Sequence, residues 1–468
     1  MFRLFRPLRA AKRVFSTTPR VFKTEIPETD PASVIDEVDN DYKSLVESCF
    51  GSVKEHNCFI INPFVKWGKK KQKDTSPQQQ MEEAVSLINT LSQWKVQDTV
   101  SVPLDHLDKI QLFGTGNLEK LKQTVRDNKD ITAVFINVST LKSVQLEMLE
   151  KTFRVPILDR YKVVMQILRM HANTKHAKLQ VALAEIPYLR GRIKKHDTRF
   201  MSTNDFDTKH IMLRKREQKL RTAIQKLRFH RELLRHNRNK LEYPVIAVVG
   251  YTNAGKTSLI KALTGDKSLK PKNQLFATLD VTMHAGVLPS NLEVLYVDTV
   301  GFISNIPTDL IECFVATLED ALHADVILHV EDLSSKDVTF QRNHVLATLK
   351  QLSSKTNNED FMNKIVTVGN KSDIVKDLDD VELPVSAKTE SGIDLLRLHL
   401  EKAILENTNR RIMRIRIPIG GDEIRWLYKN AAVVSLDVDE EDSQQQLVKV
   451  IITKAKLEQF KHHYLKRK

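Results

Sequence analysis

Residues 243–259 read Y-P-V-I-A-V-V-G-Y-T-N-A-G-K-T-S-L. The run Val245–Val249 is apolar at every position, as a strand buried on both faces of a parallel sheet should be. Gly250-x4-Gly255-Lys256-Thr257 follows and opens a helix. In this pattern the backbone N–H groups of Gly250, Tyr251, Thr252, Asn253, Ala254 and Gly255 cradle phosphate oxygens. Lys256 reaches the β- and γ-phosphates, and the Thr257 hydroxyl ligates Mg²⁺. The strand–loop–helix setting is what separates this reading from a chance match.

Three further segments extend it. L-E-V-L-Y-V-D-T-V-G is a second strand, ending in Asp298, Thr299, Val300 and Gly301. Asp298 is placed to hold Mg²⁺ through water, and the Gly301 N–H is available to a γ-phosphate. A third strand, K-I-V-T-V-G-N-K-S-D, ends in Asn370, Lys371, Ser372 and Asp373. A carboxylate at Asp373 can accept both guanine N1–H and N2–H₂, a pair that adenine lacks, so the expected ligand is GTP or GDP rather than ATP. In P-V-S-A-K, the backbone of Ser386, Ala387 and Lys388 can meet guanine O6. Four motifs in this order, each at a strand end, predict a doubly wound, mostly parallel α/β sheet with the ligand at the carboxyl ends of its strands. Lys256 and Gly301 are the candidate catalytic groups.

Charge points to a partner. Residues 161–240 carry 21 Lys and Arg against 6 Asp and Glu, an excess of 15, whereas the whole chain of 468 residues is at +14. A basic stripe of this size is the footprint of a polyphosphate backbone such as RNA. In the same segment Leu213, Leu220, Leu227, Leu234 and Leu241 recur every seven residues. Upstream, Leu168, Ala172, Leu179, Ala182, Ile186, Leu189 and Ile193 step by mostly three and four. Both are a/d seams, so residues 161–241 are expected to form an antiparallel coiled-coil hairpin with arms of about 45 Å at 1.5 Å per residue, kinked at Pro187. The seam is core. The opposite face carries the cations, with Arg228, Arg231 and Arg235 the candidate RNA contacts.

The combination of G-Y-T-N-A-G-K-T-S-L, N-Q-L-F-A-T-L-D-V-T, D-T-V-G-F-I and A-T-L-E-D-A-L-H-A-D-V-I-L-H-V closely resembles the HflX family of translation GTPases. The likeness extends upstream through F-G-T-G-N-L-E-K-L, V-P-I-L-D-R-Y-K-V-V-M-Q-I-L and K-H-A-K-L-Q-V-A-L-A-E-I-P-Y-L, covering residues 85–405 or so. It implies that Phe276, Ala277, Thr278, Leu279 and Asp280 form a switch segment against the nucleotide. Thr278 would be a second Mg²⁺ ligand in the GTP state, and a third catalytic group. It also implies a large-ribosomal-subunit partner, with roles in ribosome splitting or subunit assembly. The chain departs from the family pattern at Asp280-Val281-Thr282-Met283-His284, where D-P-T-T-R is usual. A glycine-rich segment usual before the second long helix is replaced by D-T-R-F-M-S-T-N-D-F-D-T-K-H.

Phe302 follows Gly301, where many GTPases place a glutamine that orients the attacking water. A phenylalanine cannot, so hydrolysis is expected to be slow alone and stimulated by a partner; the bland reading is that Phe302 packs against its own turn. Asn253 has two readings as well: a ligand for K⁺ beside the phosphates, or a residue that only shapes the loop.

Residues 1–23 hold seven basic residues and no acid, interleaved with Phe, Leu and Val. This is the composition of a mitochondrial transit peptide and predicts the matrix. Residues 24–77 read as linker, 78–160 as a small α/β domain, 242–405 as the P-loop domain and 406–468 as a small α+β domain. Three scattered cysteines form no close pair, so neither a disulfide framework nor a zinc site is read. No run is apolar for the ~18 residues that a membrane span needs. The expected protein is a GTP-hydrolysing factor of the mitochondrial large subunit, monomeric off the ribosome. Two rival readings are a GTP-gated RNA-binding scaffold with negligible turnover and the GTPase subunit of a tRNA-modification system.

Overall fold

The computed structural model describes residues 33–36, 40–50, 55–67, 75–193, 203–241, 243–271, 274–279, 281–304, 321–356, 359–376, 378, 381–439, 442 and 444–465. The proposed transit segment and Asp280 lie outside them.

After two short helices, α1 (Ser33–Asp36) and α2 (Asn40–Phe50), comes strand β1 (His56–Val65). Then follow α3 (Pro77–Thr90), β2 (Trp94–Leu104), α4 (Thr115–Asp127), β3 (Ala133–Ile136), α5 (Ser143–Phe153) and β4 (Ile157–Asp159). The sheet has the order β2-β1-β3-β4, with every pair parallel. The linker expected over 24–77 is therefore corrected. It contains α2 and an interior strand whose run Cys58–Ile61 is fully buried. Pro63 lies beyond the residues that pair with β3, where β1 has only one neighbour. Helix α3 begins sharply because Ser76 Oγ accepts from Gln79 N, Gln79 returns a bond to Ser76 N, and Pro77 opens the first turn.

The expected hairpin is also revised. Its first arm is two helices, α6 (Arg160–His171) and α7 (Lys175–Arg192), parted at residues 172–174, where Thr174 caps the second through Ala177 N. Helix α6 has Val163, Val164, Ile167 and Leu168 buried in the core beside the amino-terminal sheet. Of these two helices it is α7, about 27 Å long, that forms the main contact along α8 (Thr203–Leu241), which is about 58 Å long. Leu179, Ile186 and Leu189 on α7 and Leu213, Leu220 and Ile224 on α8 are buried, and Arg190 bonds Glu217 across the contact. Pro187 sits inside α7.

The central domain runs β5 (Val245–Gly250), α9 (Lys256–Thr264), β6 (Thr282–Val287), β7 (Glu293–Asp298), β8 (Val326–Asp332), α10 (Val338–Thr356), β9 (Ile365–Asn370) and α11 (Ile393–Asn407). Its sheet order is β6-β7-β5-β8-β9, parallel except for β6. The doubly wound, mostly parallel arrangement is as the motifs required. Last come β10 (Arg410–Pro418), α12 (Asp422–Asn430), β11 (Ala432–Val438), β12 (Gln445–Thr453) and α13 (Lys454–Phe460), an antiparallel sheet ordered β10-β12-β11 with a core at Ile417, Leu427, Val450 and Phe460.

One core joins the first half of the chain to the central domain. Cys58, Ile60 and Leu87 belong to the same buried cluster as Val249, Tyr251, Phe276, Val297 and Phe302. Among the described residues no helix is long and apolar enough to cross a membrane.

Candidate nucleotide site

The ends of β5, β7 and β9 meet at one edge of the central sheet, around a cavity of about 370 Å³. Thr252, Asn253, Gly255, Lys256, Thr257, Ala277, Thr278, Gly301 and Lys371 line it. Ser258, Pro271, Gln274 and Ile374 also line it and were not singled out from the sequence.

The loop after β5 is held by its neighbours. Asn253 has φ 62° and Gly255 φ 89°, and a Cβ on Gly255 would run into the Asn370 amide. Asn370 Nδ2 donates to Ala254 O at 2.9 Å, and its Oδ1 accepts from Ala387 N at 3.0 Å. One side chain thus fastens the phosphate loop to both base-reading segments. Lys256 is buried, and its ammonium donates to Tyr251 O at 3.0 Å and Gly250 O at 3.3 Å. Burial pulls its pKa down to about 8, and Asp298 opposes that shift.

Three oxygens converge below the loop. Thr257 Oγ1 donates to Asp298 Oδ2 at 2.6 Å, Thr278 Oγ1 does so at 3.1 Å, and the two hydroxyls are 3.2 Å apart. Asp298 Oδ1 is buried with no partner, and burial pushes the carboxyl upward in pKa. A buried carboxylate with an orphan oxygen beside two hydroxyls is a donor set suited to a hard, oxygen-loving divalent ion, and Mg²⁺ fits it. Bound there, the ion would supply positive charge to the phosphates.

At the base-reading end, Ser386 Oγ donates to Asp373 Oδ1 at 2.7 Å and accepts from Thr389 N at 3.1 Å. The exposed Asp373 carboxylate is thereby aimed by a fully buried serine. Lys371, at φ 66°, pairs with Asp332 at 2.7 Å. Ser372 N donates to Val385 O, tying the last two segments together, and Lys388 is exposed.

Several expected contacts turn inward instead. Thr299 is buried and donates to Val248 O, while Val300 and Leu279 belong to the shared core. Phe276, at φ 53°, reaches that core as well as the cleft. The Tyr251 side chain points away from the cleft, toward Glu83 of α3. Phe302 is buried in the shared core and does not line the cavity. Helix α8 carries Arg228, which is half-buried; the side chains of Arg231 and Arg235 lie outside the described residues.

Comparison with known families agrees with this geometry. Residues 245–371 match a family described as 50S ribosome-binding GTPase, residues 78–168 match GTP-binding GTPase N-terminal, and residues 171–238 match GTP-binding GTPase Middle Region. The chain is 40% identical to "Putative GTP-binding protein 6" of Xenopus laevis, across 85% of this chain and 78% of that one. Its identity to the protein of the same name from Homo sapiens is 42%, across 86% and 80%. It is 33% identical to GTPase HflX of Caldanaerobacter subterraneus, across 71% and 79%. The chain belongs to the HflX family of GTPases. As an HflX GTPase it hydrolyses GTP to GDP and phosphate.

In HflX terms, Thr278 is the residue whose geometry is most informative, because its hydroxyl reaches the Asp298 carboxylate from a different segment than Thr257 does. Thr278→Ala is expected to weaken binding of a non-hydrolysable GTP analogue at least tenfold and to leave GDP affinity within threefold. Titration of both nucleotides in Mg²⁺ checks this, and an equal loss for both would assign Thr278 to general loop stability.

Proposed function

We propose that this HflX GTPase acts on the mitochondrial large ribosomal subunit, in ribosome splitting, subunit assembly or both, and that it works in the matrix after import. The observation that carries the reading is the basic excess on residues 161–240, most of which falls on helices α6, α7 and α8, which share a core with the nucleotide domain. Arg214, Lys215, Arg221 and Lys226 are exposed along α8, a cationic edge suited to rRNA phosphates. The description 50S ribosome-binding GTPase for the family matching residues 245–371 supports the same partner. The acid-free first 23 residues support import.

In this reading the loop from Gly250 to Thr257 cradles the phosphates, Thr257 and Thr278 ligate Mg²⁺, and Asp373 reads guanine. Helices α7 and α8 act as a coiled-coil RNA grip, and the free protein is monomeric. Hydrolysis is slow alone because the buried Phe302 offers the attacking water neither donor nor acceptor. Water positioning then comes from the partner, with K⁺ at Asn253 as an added positive charge.

Single-turnover hydrolysis with and without mitochondrial large subunits tests this directly. Subunits should raise the rate at least tenfold, a barrier change of about 1.4 kcal/mol. Replacing Arg228, Arg231 and Arg235 together with glutamate should weaken cosedimentation and flatten its dependence on salt, with GTP affinity unchanged. Binding to subunits without any rate increase would favour a GTP-gated scaffold, and a preference for tRNA would favour the modification-enzyme reading.

A further inference from the structure

The turn that follows Gly301 is held in place at nearly every polar backbone group. Phe302 N donates to Gly250 O at 3.1 Å, and Phe302 O accepts from Thr252 N at 2.7 Å. His344 Nε2 meets Ile303 O at 3.1 Å. Ser304 N donates to the Tyr251 hydroxyl at 2.7 Å, and Ser304 O accepts from Arg160 Nη2 at 2.9 Å. The last of these partners lies outside the nucleotide domain.

Arg160 is the first residue of α6, directly after β4, and is 1% exposed. Its guanidinium also donates to Asn137 Oδ1 at 3.0 Å and to Glu83 Oε1 at 2.6 Å. Glu83, on α3, accepts from the Tyr251 hydroxyl at 3.0 Å and, through its other oxygen, from Ser304 Oγ at 3.2 Å. Two side chains of the amino-terminal domain therefore grip both walls of the phosphate site. One wall is the loop at Tyr251, whose carbonyl receives the Lys256 ammonium; the other is the turn at Ser304, three residues beyond Gly301. The Tyr251 hydroxyl stays protonated, because burial and Glu83 raise its pKa well above the ordinary phenol value. It can thus accept from Ser304 N while donating to Glu83.

A pair that only glued two domains would need side-chain contacts alone. Here the guanidinium bonds a main-chain carbonyl of the turn, and hydrogen bonds of this length weaken steeply with displacement. A movement of the turn on meeting a γ-phosphate must therefore be felt at Arg160. We propose that Arg160 and Glu83 are positioning residues for GTP hydrolysis, setting the turn that carries Gly301 so that the pose of the amino-terminal domain and occupancy of the γ-phosphate site bias each other. Such coupling is reciprocal by linkage. The proposal rests on the GTPase assignment and not on the ribosomal reading.

Three variants of the full chain, Arg160→Lys, Glu83→Gln and Ser304→Ala, test it, each checked for native thermal melting. Arg160→Lys keeps the charge but cannot reach Ser304 O, Asn137 and Glu83 from one planar fork. Its single-turnover hydrolysis should fall at least tenfold, with GDP affinity within threefold of wild type. Hydrogen exchange adds a readout that mere adhesion would not move. In wild type, amide protection across residues 157–165 should differ between GDP and a non-hydrolysable GTP analogue, and in Arg160→Lys and Glu83→Gln that difference should vanish. Ser304→Ala leaves the ion pair whole and should slow hydrolysis about threefold, so it carries the test if the other two do not fold. Wild-type rates in folded variants, or a nucleotide-dependent difference that survives in them, would overturn the proposal. A wild-type chain with no hydrolysis would instead overturn the GTPase assignment.

Discussion

Gly301→Ala should lower single-turnover GTP hydrolysis at least a hundredfold, about 2.7 kcal/mol of barrier, while GDP affinity falls less than tenfold. A Cβ added at Gly301 would lie 2.8 Å from both Thr252 Cα and Thr252 Cγ2, and 3.0 Å from Lys256 Nζ. The Cα cannot yield as the end of a flexible side chain would, because Thr252 N is tied to Phe302 O at 2.7 Å. The turn must move out instead, taking the Gly301 N–H away from the position a γ-phosphate would occupy. GDP has no γ-phosphate and should register the change only through Lys256. Single-turnover assays and GDP titration on the same preparation check this; equal losses in both would mean that the methyl disturbs the whole loop.

Asp373→Asn is the second large effect. The carboxylate offers two acceptor positions to the guanine N1–H and N2–H₂, and charge-assisted bonds contribute about 1.5–3 kcal/mol each. An amide presents a donor to one of those donors. GTP affinity should therefore drop at least a hundredfold. Xanthosine triphosphate, which carries a 2-oxo group, should become the better ligand, because the new N–H can donate to it. Ser386 Oγ already fixes one carboxylate oxygen at 2.7 Å, so the amide is expected to settle with its oxygen on the serine and its nitrogen toward the base. Competition binding with both nucleotides measures the reversal, and unchanged GTP affinity would remove Asp373 from base recognition.

The phosphate loop, the Asp298 strand and the Asn370–Asp373 segment were readable because each is contiguous, and each sits where an apolar strand stops. Their inward-facing members were less so. Thr299 and Val300 belong to the same run as Asp298 and Gly301, yet one bonds Val248 O and the other joins the core, because both lie past the end of β7, where strand alternation no longer tells which way a side chain faces. Strand β1 was missed because its unbroken apolar run is only four residues, Cys58–Ile61, flanked by Asn57, Asn62 and Pro63, which ordinarily mark turns. The apolar spacing located the α7–α8 seam but ran on into α6, whose buried residues join the core shared with α3, α7 and the amino-terminal sheet instead of the seam with α8. Glu83 left no trace at all in the sequence. Its partners Tyr251 and Ser304 are 168 and 221 residues away, and only the fold brings them together.

The place of β1 in its sheet bears on how the protein is made. Among the described residues it is the earliest strand, yet it lies inside the sheet, between β2 and β3. Cys58–Ile61 pairs with Ala133–Ile136, about 75 residues later. At roughly 5–20 residues per second on the ribosome, the growing chain holds that apolar run without its second neighbour for about 4–15 s. Such non-local pairing is slow to form even in the finished chain. Cys58–Ile61 is thus the stretch that a nascent-chain chaperone would need to cover, and polar substitutions there should reduce the yield of folded protein more than any change in the nucleotide site.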